Sequence, residues 1–137
     1  MSGKIVYLAG KMSGLSFEEQ TKWRNEIKEG LEHTDFKVVS PTDYYNYDYP
    51  SHQSEKEVMN WELRVVSKVD ILIVNLNKVG TSVGTLFELA TAHHLHKPII
   101  GYGKAEGLHP WIQECLWRTE NNLSDLLAYI TGYFDIA

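Results

Sequence analysis

D-I-L-I-V-N (70–75), L-N-K-V-G-T-S-V-G (76–84), T-L-F-E-L-A-T-A-H-H-L-H (85–96) and K-P-I-I (97–100) follow one another without interruption between Asp70 and Ile100. The first and last pieces are short β-branched apolar runs. The second is a glycine-bearing loop and the third has a helical period. Together they form a βαβ unit, whose strands run parallel and are buried on both faces. In open sheets of this kind, ligands bind beyond the carboxyl ends of the strands. The loop Leu76–Val83 and the first turn of the helix after it occupy that position, and Glu88 sits in that turn or just beyond it.

The same alternation extends in both directions. Lys4–Ala9 reads as a first strand, followed by the turn Gly10-Lys11-Met12-Ser13-Gly14. Ser16 with Glu19 makes a capping box, so a helix starts there and runs to about His33. Phe17, Trp23, Ile27 and Leu31 are its apolar marks. Phe36–Ser40 is a second strand stopped by Pro41. Thr42–Gln53 has no helical period but holds Tyr44, Tyr45, Tyr47 and Tyr49, which predicts an ordered loop. Ser54 and Glu57 form a second capping box, and the helix they start carries Val58, Trp61, Leu63, Val65 and Val66 towards Lys68. Beyond Ile100 come a flexible connection over Gly101–Leu108, a short helix over His109–Cys115, a short fifth strand within Leu116–Thr119 and a final helix over Leu123–Phe134. Right-handed crossovers leave few topologies for such a chain. The expectation is an α/β, flavodoxin-like (Rossmann-like) parallel sheet of four to five strands, in the order 2-1-3-4 with the fifth after it, and with helices on both faces. The switch point then lies between strands one and three, which brings the Gly10–Gly14 turn beside the Leu76–Gly84 loop.

Composition narrows the class. A chain of 137 residues is expected to form one domain over 1–137, and its 43% hydrophobic and 23% charged residues suit a globular core. The lone cysteine, Cys115, allows no internal disulfide and reads as packing on an apolar face in a reducing compartment. The N-terminal apolar run is too short for a signal peptide or membrane span, so the expectation is a cytoplasmic protein with no membrane partner. A net charge of −5 without a basic block argues against a nucleic-acid polymer as partner. A small anionic ligand needs only a local positive site.

Two glycine-rich turns facing each other across the crevice supply backbone N–H groups and helix N-termini, which suit an anion. Gly10, Lys11, Ser13 and Gly14 come from one turn, Ser82 and Gly84 from the other. Each turn alone also fits a plain structural role, because glycines serve tight turns and serines cap helices. The pairing is what points to a phosphate or other polar ligand. Neither a Walker loop nor a GxGxxG motif is present. A helix N-terminus favours the ionised form of Glu88, and an ionised, positioned carboxylate can attack a sugar carbon of oxocarbenium character. Spacing alone fits a surface glutamate equally. Tyr7 is mid-strand and by itself reads as core.

K-I-V-Y-L-A-G-K-M-S-G (4–14), V-D-I-L-I-V-N (69–75), S-V-G-T-L-F-E-L-A (82–90) and K-P-I-I-G (97–101) resemble, in order and at compatible spacings, the nucleoside 2-deoxyribosyltransferase family. That family includes the 2'-deoxynucleoside 5'-phosphate N-hydrolases. The resemblance covers nearly the whole chain and implies the same flavodoxin-like sheet. It also implies cleavage of the N-glycosidic bond of a (2'-deoxy)nucleoside or nucleotide, the small-molecule partner, with no metal or organic cofactor. By the G-T-x-x-E pattern the family's nucleophile matches Glu88, and its first-strand tyrosine, which orients the nucleophile, matches Tyr7. A family aspartate ahead of the third strand falls at Glu62, one methylene longer, as candidate acid for the leaving base. Six residues before the nucleophile the transferases carry an aspartate and the phosphate hydrolases a serine; here it is Ser82. A hydroxyl can donate to a 5'-phosphate that an aspartate would repel. Ser13 stands where those hydrolases carry an arginine, with Lys11 as the nearby cation. The resemblance therefore implies an N-glycosidase acting on a nucleoside 5'-monophosphate, with a base-exchanging transferase and an inactive nucleotide-binding module as alternatives. It further implies a homodimer or higher homo-oligomer.

Other features carry less. His93, His94 and His96 fall at a helix C-terminus, where cationic residues are favoured without any metal. Asp70 reads as structural, and Trp111 and Trp117 as packing. The tyrosine loop fits either base stacking or a subunit contact. His109 is a minor candidate for reaching a neighbouring subunit's ligand.

Overall fold

The computed structural model describes residues 3–43 and 53–135. Five parallel strands form one sheet, running from the second strand at one edge through the first, third and fourth to the fifth. In chain order they are β1 (Ile5–Ala9), α1 (Phe17–Leu31), β2 (Lys37–Val39), α2 (Glu55–Lys68), β3 (Ile71–Asn75), α3 (Val83–His94), β4 (Ile99–Tyr102), α4 (Pro110–Cys115), β5 (Arg118–Glu120) and α5 (Leu123–Tyr133). Single 3-10 turns cover Pro41–Asp43 and Val79–Thr81. The order expected from the sequence is the one observed, fifth strand included. Tyr44, Tyr45, Tyr47 and Tyr49, and the expectation placed on them, lie outside the described residues.

Period-two alternation distributes the core. Val6 and Leu8 of β1, with Ile71, Ile73 and Ile100, face α1 and α5 and meet Ile27, Leu31, Leu126 and Ile130. Tyr7 and Ala9, with Leu72, Val74 and Ile99, face the other way and meet Val66 of α2, Leu89 and Ala92 of α3 and Ile112 of α4. This is the pattern of a sheet buried on both faces. Asp70 is structural as expected: its Oδ2 accepts from Ile5 N at 2.8 Å, and its own N–H donates to Ile5 O at 2.9 Å. The starts of β1 and β3 are thereby locked together at the end of the sheet away from the crevice.

Caps set the helix entries. Ser16 and Glu19 form the complete reciprocal box, at 3.1 and 2.9 Å. At α2 only half of the expected box forms: Ser54 accepts from Glu57 N, while the Glu57 carboxylate takes Gln53 N at 2.7 Å instead. His109 caps α4, its Nδ1 accepting from Trp111 N at 3.1 Å.

Several side chains differ from expectation. Phe17 is 73% exposed, because the first helical residue overhangs the N-terminal rim and the buried stripe of α1 is Gln20, Arg24, Ile27 and Leu31. Trp111 and Trp117 are exposed rather than packed: Ile112 is the buried residue of α4, and Trp117 lies beyond its end. Strand β4 continues to Tyr102, so the connection after it starts two residues later than the apolar run suggested. Cys115 packs against the α2–α3 side of the core, as expected, and burial pushes its thiol up. Among the described residues no helix is long and apolar enough to cross a membrane.

The two classes of side chain make opposite predictions. Ile130→Ala, which empties a fully buried site, is expected to cost about 2–5 kcal/mol in urea unfolding. Phe17→Ala is expected to stay within about 0.5 kcal/mol of the parent chain.

Candidate active site

The carboxyl ends of β1 and β3 lie side by side, with Ala9 opposite Val74. Above them opens a cleft of about 370 Å³, lined by Gly10, Met12 and Ser13 after β1 and Pro41 after β2. Glu55, Val58 and Glu62 of α2 and the 81–85 segment complete the wall, with Glu88 of α3 among the lining groups.

Glu88 is the sixth residue of α3 and falls on its buried stripe with Thr85, Leu89 and Ala92. A carboxyl group at a core position needs a partner, because unsatisfied burial of a polar group is costly. Tyr7 supplies it: its phenol, wholly buried at mid-β1, donates to Glu88 Oε2. The alternation that turns Tyr7 towards α3 is therefore what holds the carboxylate. Glu62, half-buried on α2, lines the same cleft.

The ionisation of Glu88 differs from the expectation drawn from helix position. Its carboxyl is pushed up from the usual 4.5 to about 8, first by burial and then by the Glu62 charge. The Tyr7 hydrogen bond and Arg24 pull the other way without cancelling this. The helix dipole acts mainly within the first turn, and Glu88 stands in the second.

Ser82 caps α3, accepting from Thr85 N at 3.4 Å and sharing a 2.7 Å hydrogen bond with Thr85 Oγ1. With Gly84 it forms one rim of the cleft; Gly10 and Ser13 form the other. Lys11 and Gly14 are not among the lining residues. Lys11 Nζ donates to Thr81 Oγ1 at 3.0 Å, tying the two turns together, and its side chain borders a neighbouring hollow with Trp23 and Asn75. Gly14 has φ +79°, a backbone conformation that glycine accommodates without strain, so its place in the turn is conformational. Tyr7 lies beneath the cleft and acts on it through Glu88. His93, His94 and His96 are exposed at the far end of α3.

Sequence reading missed several contributors. Thr85 was readable as the third residue after the Ser82 cap. Pro41 and Glu55 come from segments far apart in sequence, and only the fold brings them together. Arg24 left a clearer trace, a charged residue in register with Gln20, Ile27 and Leu31 on a buried stripe. Its guanidinium is fully buried, donates to Gly10 O at 3.1 Å and to Gln20 O at 2.5 Å, and packs over the Trp23 ring. Burial pushes it down to about 10, against the favourable charges of Tyr7, Glu88, Glu62 and Asp43.

The family model for nucleoside 2-deoxyribosyltransferase matches residues 6–125. No curated protein matches the chain. Among solved structures, a conserved protein from Enterococcus faecalis V583 is similar with a TM-score of 0.75 at 15% identity, over 94% of this chain and 98% of that one. A 2-deoxyribosyltransferase from Bacillus psychrosaccharolyticus gives 0.71 at 24% identity, over 91% of each chain. The Clostridium botulinum CMP N-glycosidase BcmB gives 0.65 at 20% identity, over 95% of this chain and 99% of that one. At these identities the likeness is one of fold.

The raised Glu88 carboxyl has a thermodynamic signature. The folded chain keeps a proton that the unfolded chain releases between pH 4.5 and about 8. Stability should therefore fall as pH rises through that window. Glu88→Gln removes the titrating group. Its Tm is expected to match the parent below pH 4.5 and to exceed it by a few degrees above pH 8, read by thermal unfolding across pH.

Proposed function

The chain belongs to the nucleoside 2-deoxyribosyltransferase family, and from that premise we propose that it breaks the N-glycosidic bond of a (2'-deoxy)nucleoside 5'-monophosphate, releasing free base and sugar phosphate. The observation that carries this reading is the Tyr7 phenol donating to Glu88 in a cleft whose rims are Ser13 and Ser82. A carboxylate fixed by one hydrogen bond keeps its other oxygen for a sugar carbon. Hydroxyl and N–H groups at the start of α3 suit a phosphate on the same sugar.

In the first step a Glu88 oxygen attacks the anomeric carbon from the face opposite the base. The carbon–nitrogen bond breaks, its electron pair leaves with the base, and Glu62 or water supplies the proton. Water then attacks the anomeric carbon of the glycosyl ester and releases Glu88. The proton that burial holds on Glu88 must leave it before attack, and Glu62 is the nearby carboxylate able to take it. Positive charge growing on the sugar favours the Glu88 anion at that moment. Tyr7 keeps the carboxylate aimed throughout.

The Clostridium botulinum neighbour, a CMP N-glycosidase, supports this fold as a scaffold for cleaving a nucleoside monophosphate. The position of Ser82 supports the phosphate. One observation favours a second reading, base exchange between deoxynucleosides. The cleft continues into an apolar hollow lined by Val58, Met59, Leu63, Val83 and Phe87, still beside Glu62 and Glu88. Such a hollow suits a second planar base in place of water. The Bacillus neighbour, a 2-deoxyribosyltransferase, fits that alternative. We further propose a cytoplasmic protein that works as a homo-oligomer.

A mass-spectrometric screen of nucleosides and 5'-monophosphates for released base tests the reaction. Release from monophosphates is expected, and Glu88→Ala should lower it by about 10³-fold or more while ligand still binds. Base exchange on unphosphorylated deoxynucleosides, without monophosphate hydrolysis, would move the conclusion to the transferase. Binding without turnover in the parent chain would make it a nucleotide-binding module. Specificity has its own test: Ser82→Asp should raise KM for a monophosphate at least about tenfold and leave an unphosphorylated nucleoside unaffected.

A further inference from the structure

A second hollow, of about 390 Å³, opens at the crest of the sheet beside the cleft. The cleft takes side walls from α2 and α3; this hollow takes its own from α1 and from the end of β3. One turn serves both. Gly10 and Met12 line the cleft, while Lys11 between them borders the hollow and reaches Thr81 of the cleft wall at 3.0 Å.

Trp23 of α1 is the aromatic wall of the hollow. The missing side chain at Gly10 is what seats it: a Cβ there would lie 2.7 Å from Trp23 Cζ2 and 3.3 Å from Asn75 Cβ. The indole thus rests against the turn, next to the last residue of β3. The Arg24 guanidinium packs over the ring at 4.5 Å, and Tyr102, opposite Asn75 on β4, stands 6.5 Å away at 45°. Even so, Trp23 is only half-buried. An aromatic ring held on several sides and partly open is a preformed stacking platform.

The polar groups beside it are amides. Asn75 Oδ1 accepts from Asn77 N at 2.9 Å, which leaves Nδ2 as the donor that Asn75 has to offer. Among the described residues no hydrogen bond is made by Asn75 Nδ2, the Asn77 side-chain amide or Trp23 Nε1. Donors and an acceptor are therefore left for whatever enters. The carboxylates of Glu18, Glu19 and Glu26 outnumber the ammonium groups of Lys11 and Lys22 around the hollow. The surplus of negative charge disfavours an anion, and the two lysines disfavour an organic cation. A neutral planar ring with donors and acceptors along its edge meets all of these conditions.

We propose that this hollow binds a free aminopurine base, stacked on Trp23 and read along its edge by the Asn75 and Asn77 amides. An asparagine amide matches the adjacent ring nitrogen and exocyclic amine of adenine with one acceptor and one donor. The choice of ligand rests on the proposed N-glycosidic cleavage, which sets a base free on the other side of the same turn. Binding itself needs no turnover. The hollow is distinct from the apolar one beside Glu62 and Glu88, which has neither amide nor indole among its described lining residues.

The test is an NMR titration of the intact chain with adenine. Indole N–H groups carry nitrogen-15 and methionine methyls carbon-13, and Trp23→Phe assigns the Trp23 signal by its loss. Met12 in the cleft and Met59 in the apolar hollow report the two other places a base could go. Adenine is expected to move the Trp23 signal to saturation. Asn77→Ala, at an exposed position, should raise the Kd for adenine about fivefold or more. A Trp23 signal that adenine leaves in place overturns the proposal, as does movement confined to Met12 or Met59. An unchanged Kd in Asn77→Ala overturns it too. If the chain releases no base from any nucleotide, the reading of the cleft fails, while the titration still decides whether the hollow takes a base.

Discussion

A carboxyl group on the core-facing stripe of a helix, tied to a phenol in the middle of a buried strand, is the constraint on which the cleft depends. Glu88 occupies a position that an apolar residue would fill in an ordinary α/β protein, with Thr85, Leu89 and Ala92 on the same stripe. Tyr7 is fully buried among aliphatic side chains and donates its hydroxyl to that carboxyl. Remove Tyr7 and the buried Glu88 carboxyl loses the donor to its Oε2. The pair fixes how α3 sits on β1, and so fixes where the Ser82 cap and the Gly84 turn stand relative to Gly10 and Ser13.

Strand pleat makes this arrangement all-or-none. Side chains alternate between faces, so a slip of one residue in β1 would turn Tyr7 towards α1 and bring Val6 or Leu8 towards Glu88. The register is held at the opposite end of the sheet, where Asp70 joins Ile5 by both side chain and backbone. Nothing in that junction touches the cleft. It acts on the cleft by setting the depth at which Ala9 and Val74 end their strands. The two turns beyond them then meet closely enough for Lys11 to bond across to Thr81.

Most of this was readable before any coordinates. β-branched runs, glycine turns and caps at Ser16, Ser54 and Ser82 fix element type and order, and right-handed crossovers fix the sheet. The resemblance supplied Glu88, Tyr7 and Glu62, and the geometry brings all three to one place, with Gly10, Ser13, Ser82 and Gly84 at the rims. What escaped depended on surroundings rather than on residue type. Phe17 matches the helical period but sits on the overhanging first turn. Trp111 and Trp117 look like core and are exposed, because the face of the short helix α4 that meets the core is the one carrying Ile112 and Cys115, and Trp117 lies beyond its end. Glu88 is near a helix start, yet its ionisation is set by burial and by Glu62, which are tertiary facts. Lys11 has the chemistry of an anion ligand and serves instead as a tie between loops.

The cleft carries more carboxylate than its chemistry can use in the charged form. Glu55, Glu62 and Glu88 all border it, in a chain with a net charge of −5. The proposed monophosphate would add to that repulsion, so its phosphate would have to be held by dipoles and short donors. The donors and the carboxylates come from different elements: hydroxyls and helix N–H groups from the start of α3, Glu55 and Glu62 from α2. In the proposed reaction Glu88 gives up its proton before attack and Glu62 carries it on to the leaving base. The buried setting of Glu88 favours the neutral form in the empty cleft and the anion once a cationic sugar carbon develops beside it. A site of this kind is quiet until substrate arrives. That suits the proposed reaction, in which the carboxylate is needed as an anion only when the anomeric carbon turns cationic.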